Sequence, residues 1–204
     1  SERVLAPLNE QGTLGAVLFQ ASPYFSFRGD VTYTMRSEPK VPLPEYIMGL
    51  GRLEEVCQMM HDHPGEIALE LRNSSWLDDR SGLLPEAADV LRSHGASLVT
   101  VDGPSFPWIE SATAMHNYIR FHGRNREEWF RDNPEDPSAR YRYRYHEIEL
   151  AKRVDSIKRM SSTARGDTRI FFNNHPHGYA PLDGLKMRDL LGLERPVGVM
   201  DRFF

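Results

Sequence analysis

Five short apolar stretches punctuate the chain, and each gives way to turn residues and then to a run with helical spacing. The stretches run Leu14 to Gln20, Glu66 to Arg72, Ala96 to Asp102, His116 to His122 and Thr168 to Asn174. Helices are expected from about Leu43 to His61, Leu83 to His94, His146 to Met160 and Tyr179 to Leu191. In the third of these, Leu150, Ala151, Val154 and Ile157 recur at spacings of three and four, one apolar stripe with a charged face opposite. Strands that alternate with helices predict βαβ units and a parallel sheet, because parallel neighbours need a crossover and the helix supplies it.

Polar positions within the strands decide whether that sheet is open or closed. In Glu66 to Arg72, Ile67, Leu69 and Leu71 share one face, while Ala68, Glu70 and Arg72 share the other. Likewise Ile119 and Phe121 oppose Tyr118, Arg120 and His122. An open sheet with helices on both faces would bury these charges against apolar side chains. A barrel with a polar mouth avoids that cost, so the expected fold is α/β, a TIM-barrel-like parallel (β/α) barrel in one domain over residues 1–204. Residues 21–44, with Pro23, Pro39, Pro42, Pro44 and a β-like Asp30 to Met35, and residues 124–145 form two long connections.

Composition adds bounds rather than direction. The 204 residues are 40% hydrophobic and 26% charged, enough for a buried core, and the net charge of −4 provides no overall field for a polyanion. No apolar run is long enough to span a bilayer, so a cytoplasmic location without membrane contact is expected. The single Cys57, among Val56, Met59 and Met60, reads as a buried thiol. A start at Ser1 without methionine points to a processed, trimmed or engineered terminus.

Each of the five strands ends in a polar group: Gln20, Glu70 with Arg72, Asp102, Arg120 with His122, and Asn173, Asn174 and His175. One such terminus only meets water, but five together point to a shared cavity. Glu70, Asp102 and His122 are the candidate acid, base or metal-ligand residues. Against this, Glu70 and Arg72 read equally as an ion pair holding the mouth, and Asp102 before Gly103-Pro104 as a turn former. Gly123 lets backbone approach a ligand, and Arg72, Arg120 and Arg124 supply anion-binding donors. Tyr141, Tyr143 and Tyr145 alternate with Arg142 and Arg144, a ladder that could stack bases or form a strand-like lid. Trp76 is a pocket wall or a packing residue, and His61 and His63 have metal-pair spacing but precede a strand, at the face opposite the site.

Glu70-Leu71-Arg72 with Ser75-Trp76, Val101-Asp102, Arg120-Phe121-His122-Gly123-Arg124, Tyr143-Arg144-Tyr145 and Phe172-Asn173-Asn174-His175 with Gly178 and Ala180 resemble the YecE-like family, domain of unknown function 72. The resemblance implies a TIM-barrel-like fold and a pocket of Glu70, Arg72, Trp76, Asp102, Arg120, His122, Gly123, Asn173, Asn174 and His175, with no established reaction. Members usually carry further amino-terminal strands, so this chain is expected to supply about five βα units of an incomplete barrel. Asn73-Ser74 and Asp183-Gly184 replace His-Pro and Asn-Ala in the family pattern. Two functional readings stay open. One is an enzyme on a small phosphorylated or otherwise anionic substrate, with a divalent metal compatible but not required. The other is a non-catalytic nucleotide or nucleic-acid binding protein, and either reading leaves room for a partner chain that completes the barrel.

Overall fold

A computed structural model describes residues 2–27, 49–132 and 135–194. Five strands, β1 (Ala16–Gln20), β2 (Glu66–Glu70), β3 (Ala96–Asp102), β4 (Asn117–Phe121) and β5 (Thr168–Phe172), pair in parallel in the order β1-β2-β3-β4-β5. Because every strand sits beside its sequence neighbour, the sheet winds in one direction and curls into a half-barrel, an incomplete α/β TIM-barrel-like fold. Helices α2 (Gly49–His61), α3 (Pro85–Ser93), α5 (Glu147–Thr163) and α6 (Tyr179–Leu191) alternate with the strands. Two further elements were not foreseen: α1 (Glu2–Glu10), where Pro7 interrupts the apolar positions Val4, Leu5 and Leu8, and the one-turn α4 (Arg126–Trp129).

Helices α2, α3, α5 and α6 pack on one face of the sheet. Leu69, Leu71, Ala96 and Leu98 meet Leu53, Cys57, Met60 and Leu91 of α2 and α3. Ile119 and Phe121 meet Leu150, Ile157, Met160 and Met187 of α5 and α6. The alternate strand positions, Ala68, Val99, Val101 and Tyr118 with Ala16 and Leu18, form a separate small inner cluster. The period-two pattern thus sorts side chains into an outer layer under helices and an inner layer facing the barrel axis. Cys57 is fully buried, and burial, with the nearby Glu54 charge, pushes its thiol up to about 12, as its apolar neighbours suggested.

The strands stop earlier than the hydrophobic pattern implied. β2 ends at Glu70, β4 at Phe121 and β5 at Phe172, so Arg72, His122, Asn173 and Asn174 stand on the loops just past the strand ends. The 124–145 connection holds α4 and a short 3-10 turn at Ala139–Tyr141, with no strand-like lid among its described residues. The β-like Asp30 to Met35 and the start of the helix expected from Leu43 lie outside the described residues. No helix among the described residues is long and apolar enough to cross a membrane.

Candidate functional site

Glu70 is the hub of the mouth. It lies at the end of β2 with its side chain on the inner face, and it is buried to 1% exposure. Gln20, at the matching position of β1, donates from Nε2 to Oε1 at 2.8 Å. Arg120 of β4 donates from Nη1 to Oε2 at 2.5 Å, and Arg72 brings Nε to 3.9 Å of Oε1. His122 sets Nε2 at 3.3 Å from Oε1, and its other ring nitrogen meets the Asn173 amide at 3.1 Å. Burial alone would raise the Glu70 carboxyl, but the hydrogen bond and charge of His122, the Arg120 charge and the Gln20 amide outweigh it and hold the group at about 2. The residues converge because β1, β2, β4 and β5 present their inward positions at one level of a curled sheet.

Aromatic rings stand beside this polar layer. The His122 ring lies 5.9 Å from Trp129 and 6.2 Å from Tyr141, Trp129 and Tyr141 pack edge to face at 5.5 Å, and the exposed His175 lies 5.5 Å from Tyr141. Trp129 escaped sequence reasoning because nothing in the 124–145 connection marks it as facing the mouth. A helical turn brings it there.

Asp102 belongs to a different network. Arg124 grips it through Nε to Oδ1 at 2.7 Å and Nη2 to Oδ2 at 2.6 Å, Arg153 of α5 donates from Nε to Oδ2 at 2.9 Å, and the Tyr145 hydroxyl reaches Oδ1 at 3.0 Å. Four donors fill the acceptor capacity of a carboxylate. Burial opposes ionisation, yet the hydrogen bonds and charges of Arg124 and Arg153 hold Asp102 below the ordinary carboxylate range. Arg124 also contacts Glu149 at 3.1 Å, which in turn accepts from the Tyr143 hydroxyl at 2.6 Å. Burial raises both the Tyr143 and Tyr145 phenols, and the acceptors beside them, Glu149 and Asp102, add to the shift. Among the described residues no side-chain hydrogen bond joins this network to Glu70.

The remaining sequence candidates divide accordingly. Gly123, at φ +90°, is approached by Tyr143, since an added Cβ would lie 2.7 Å from the Tyr143 Cβ, and its N–H donates to the Tyr145 hydroxyl at 2.9 Å. Asn174 is fully buried and ties the Tyr143 carbonyl at 2.8 Å to Asp183 at 2.7 Å. Trp76 stands apart from the mouth: fully buried, it stacks on Phe25 and donates to that residue's carbonyl at 2.7 Å, which makes it a packing residue. The tyrosine ladder is split, with Tyr145 buried against Phe121 and Phe172 and Tyr143 bonded to Glu149, so it presents no continuous stacking face. His61 ends α2 before β2, 6.3 Å from the His94 ring. Among the described residues no group of three or more His, Cys, Asp or Glu side chains is arranged to hold a metal ion.

A family model described as "Protein of unknown function DUF72" matches residues 2–201. The chain is 26% identical over 198 residues to the UPF0759 protein YunF of Bacillus subtilis, covering 93% of this chain and 62% of that one. It is similar to the crystal structure of a DUF72 family protein from Thermotoga maritima, with TM-score 0.72, 29% identity and coverage of 94% of this chain and 63% of that one. A DUF72 family protein from Enterococcus faecalis gives TM-score 0.74 at 26% identity, covering 97% of this chain and 67% of that one. The chain thus spans somewhat under two thirds of the length of the first two relatives.

Proposed function

Since the chain belongs to the DUF72 family, a family of unknown function, we propose from the geometry of the mouth that it binds a small anionic ligand, of the phosphorylated kind, at the carboxyl ends of the strands. The observation that supports this is a charge imbalance. Among the described residues two guanidiniums, Arg72 and Arg120, face a single carboxylate, Glu70, and all three are largely withdrawn from solvent. One positive charge is left over where the dielectric is low, and an entering anion balances it. Asn173 and His122 add polar groups, and Trp129, Tyr141 and His175 offer ring surface for the rest of the ligand.

The same pocket suits a reaction on a phosphorylated substrate. A carboxyl held at about 2 is a weak base, so Glu70 serves as the fixed anion that orients Arg120 and His122. His122 is then the remaining candidate for moving a proton, through Nδ1 once a substrate group displaces the Asn173 amide from it. Titration with inorganic phosphate tests the binding. Arg120→Ala is expected to weaken it by about tenfold or more, as loss of a charge-assisted contact does, whereas Glu70→Gln leaves it equal or tighter. Binding that is indifferent to Arg120→Ala sinks the reading. A phosphoesterase panel on the wild-type chain and on His122→Ala then separates catalysis from binding, and affinity that instead tracks nucleic-acid length and falls steeply with salt supports the nucleic-acid alternative.

A further inference from the structure

Beyond the end of β3 lies a cleft of about 310 Å³, near the lower limit of roughly 300 Å³ typical of small-molecule sites. Apolar Phe106, Pro107 and Trp108 and basic Arg124, Arg126 and Arg153 line it, together with the Asp102 carboxylate that Arg124 and Arg153 neutralise. The basic residues are not equally spent. Arg124 uses its guanidinium on Asp102 and Glu149. Arg153 hydrogen-bonds Asp102 only through Nε, and among the described residues its two terminal nitrogens donate to no carboxylate, although the Glu110 charge lies near enough to interact with it. Its guanidinium carbon lies over the Trp108 ring, 4.5 Å from the centroid, and the Trp108 indole N–H is itself anchored to the Ser156 hydroxyl at 2.8 Å. The stacking holds the planar fork in place before any ligand arrives. Arg126 rests against Phe130 and forms no ion pair among the described residues. Among the described residues the three guanidiniums therefore form ion pairs with two carboxylates, Asp102 and Glu149, while Glu110, near Arg153, is paired with Arg159, and the two less committed cations line the same cavity.

We propose that this cleft is a second anion site, separate from the mouth, which takes the phosphate of a small phosphate monoester on Arg126 and Arg153 and its carbon portion against Phe106 and Pro107. A fork-shaped guanidinium matches phosphate oxygens in pairs, and the apolar wall distinguishes an ester from the bare ion. The proposal does not depend on the reading of the mouth, because no side-chain hydrogen bond among the described residues connects Arg153 or Arg126 with Glu70 or Arg120.

Calorimetric titration with phenyl phosphate and with inorganic phosphate tests it. In an Arg120→Ala background, where the mouth is impaired, the chain is expected to retain one site that prefers phenyl phosphate over inorganic phosphate. Adding Arg126→Ala is expected to weaken that site by about tenfold. Arg153→Lys, which keeps the charge but not the fork, is expected to weaken it as well without loss of folding. Three results overturn the proposal: no phenyl phosphate binding once Arg120 is replaced, binding unchanged by Arg126→Ala, or no preference for the ester. If Arg120→Ala changes nothing while Arg126→Ala removes all binding, the mouth reading fails and the cleft stands.

Discussion

Glu70 and Asp102 end neighbouring strands, both carboxylates are almost fully buried, and both are held ionised, Glu70 by His122, Arg120 and Gln20 and Asp102 by Arg124 and Arg153. Their surroundings nevertheless differ in kind. Asp102 is saturated by Arg124, Arg153 and Tyr145, which come from the 124–145 connection and from α5, so it ties a loop and a helix to the sheet. Glu70 is met by inward side chains of β1 and β4 and by residues just past the strand ends, with Arg72 only loosely engaged at 3.9 Å. A saturated ion pair stabilises an assembly of elements, whereas an unbalanced one at a strand end keeps charge available for a ligand. Two carboxylates that look alike along the chain thus separate into a fastening and the centre of the proposed site.

The largest expected effect comes from breaking the fastening. Asp102→Ala removes the acceptor of the part-buried Arg124 and Arg153 and leaves the buried Tyr145 hydroxyl without it, and a loss of about 3 kcal/mol or more in denaturant unfolding is expected. A loss below about 1 kcal/mol would erase the distinction from an exposed pair.

Glu70→Gln is expected to cost somewhat less, and its cost to depend on pH. The Glu70 carboxyl is lowered from 4.5 to about 2 by its surroundings, which corresponds to about 3 kcal/mol of linked stability. Because the folded value lies below the unfolded one, this contribution is complete above pH 4.5 and fades as the pH falls toward about 2. The wild-type and Glu70→Gln stability curves should therefore converge across that window, and parallel curves would show that Glu70 is not held ionised.

A smaller effect is expected at Gly123, where φ is +90° and an added Cβ would lie 2.7 Å from the Tyr143 Cβ. Gly123→Ala should cost about 1–3 kcal/mol and leave the phosphate affinity of the mouth largely intact, since the crowding is on the Tyr143 side. Least of all, Trp129→Ala should change unfolding by no more than about 1 kcal/mol, because the ring is only half-buried. It should weaken an organic phosphate at the mouth more than inorganic phosphate. Equal weakening of both would remove the ring surface from the site.

Much of this was legible from the chain. Strict alternation in Glu66 to Glu70 and Asn117 to Phe121 separated the helix-covered face from the inner face, and the pairing of β1 to β5 follows that separation. Tyr179–Leu191 and Ala96–Asp102 coincide with the expected bounds, because a left-handed glycine at 192 stops the helix and Gly103 follows the strand. The helix of residues 2–10 was not legible, since Pro7 interrupts its pattern. At the site, Glu70, Arg72, Arg120, His122 and Asn173 do meet, while Asp102, Arg124, Asn174 and Trp76 face elsewhere.

The sequence by itself determined which residues are polar at strand ends and which face of each strand they occupy, because a pleated strand alternates its side chains whatever surrounds it. It also carried the family pattern. Only the tertiary structure decided which of those polar groups share a charge and which are spent, because guanidiniums reach several ångströms from their backbone and choose partners across elements. Arg153 leaves the charged face of α5 to close on Asp102, and Arg120 crosses from β4 to Glu70. Pairing of long charged side chains is a property of the curl of the sheet and the seating of the helices, and no local spacing encodes it.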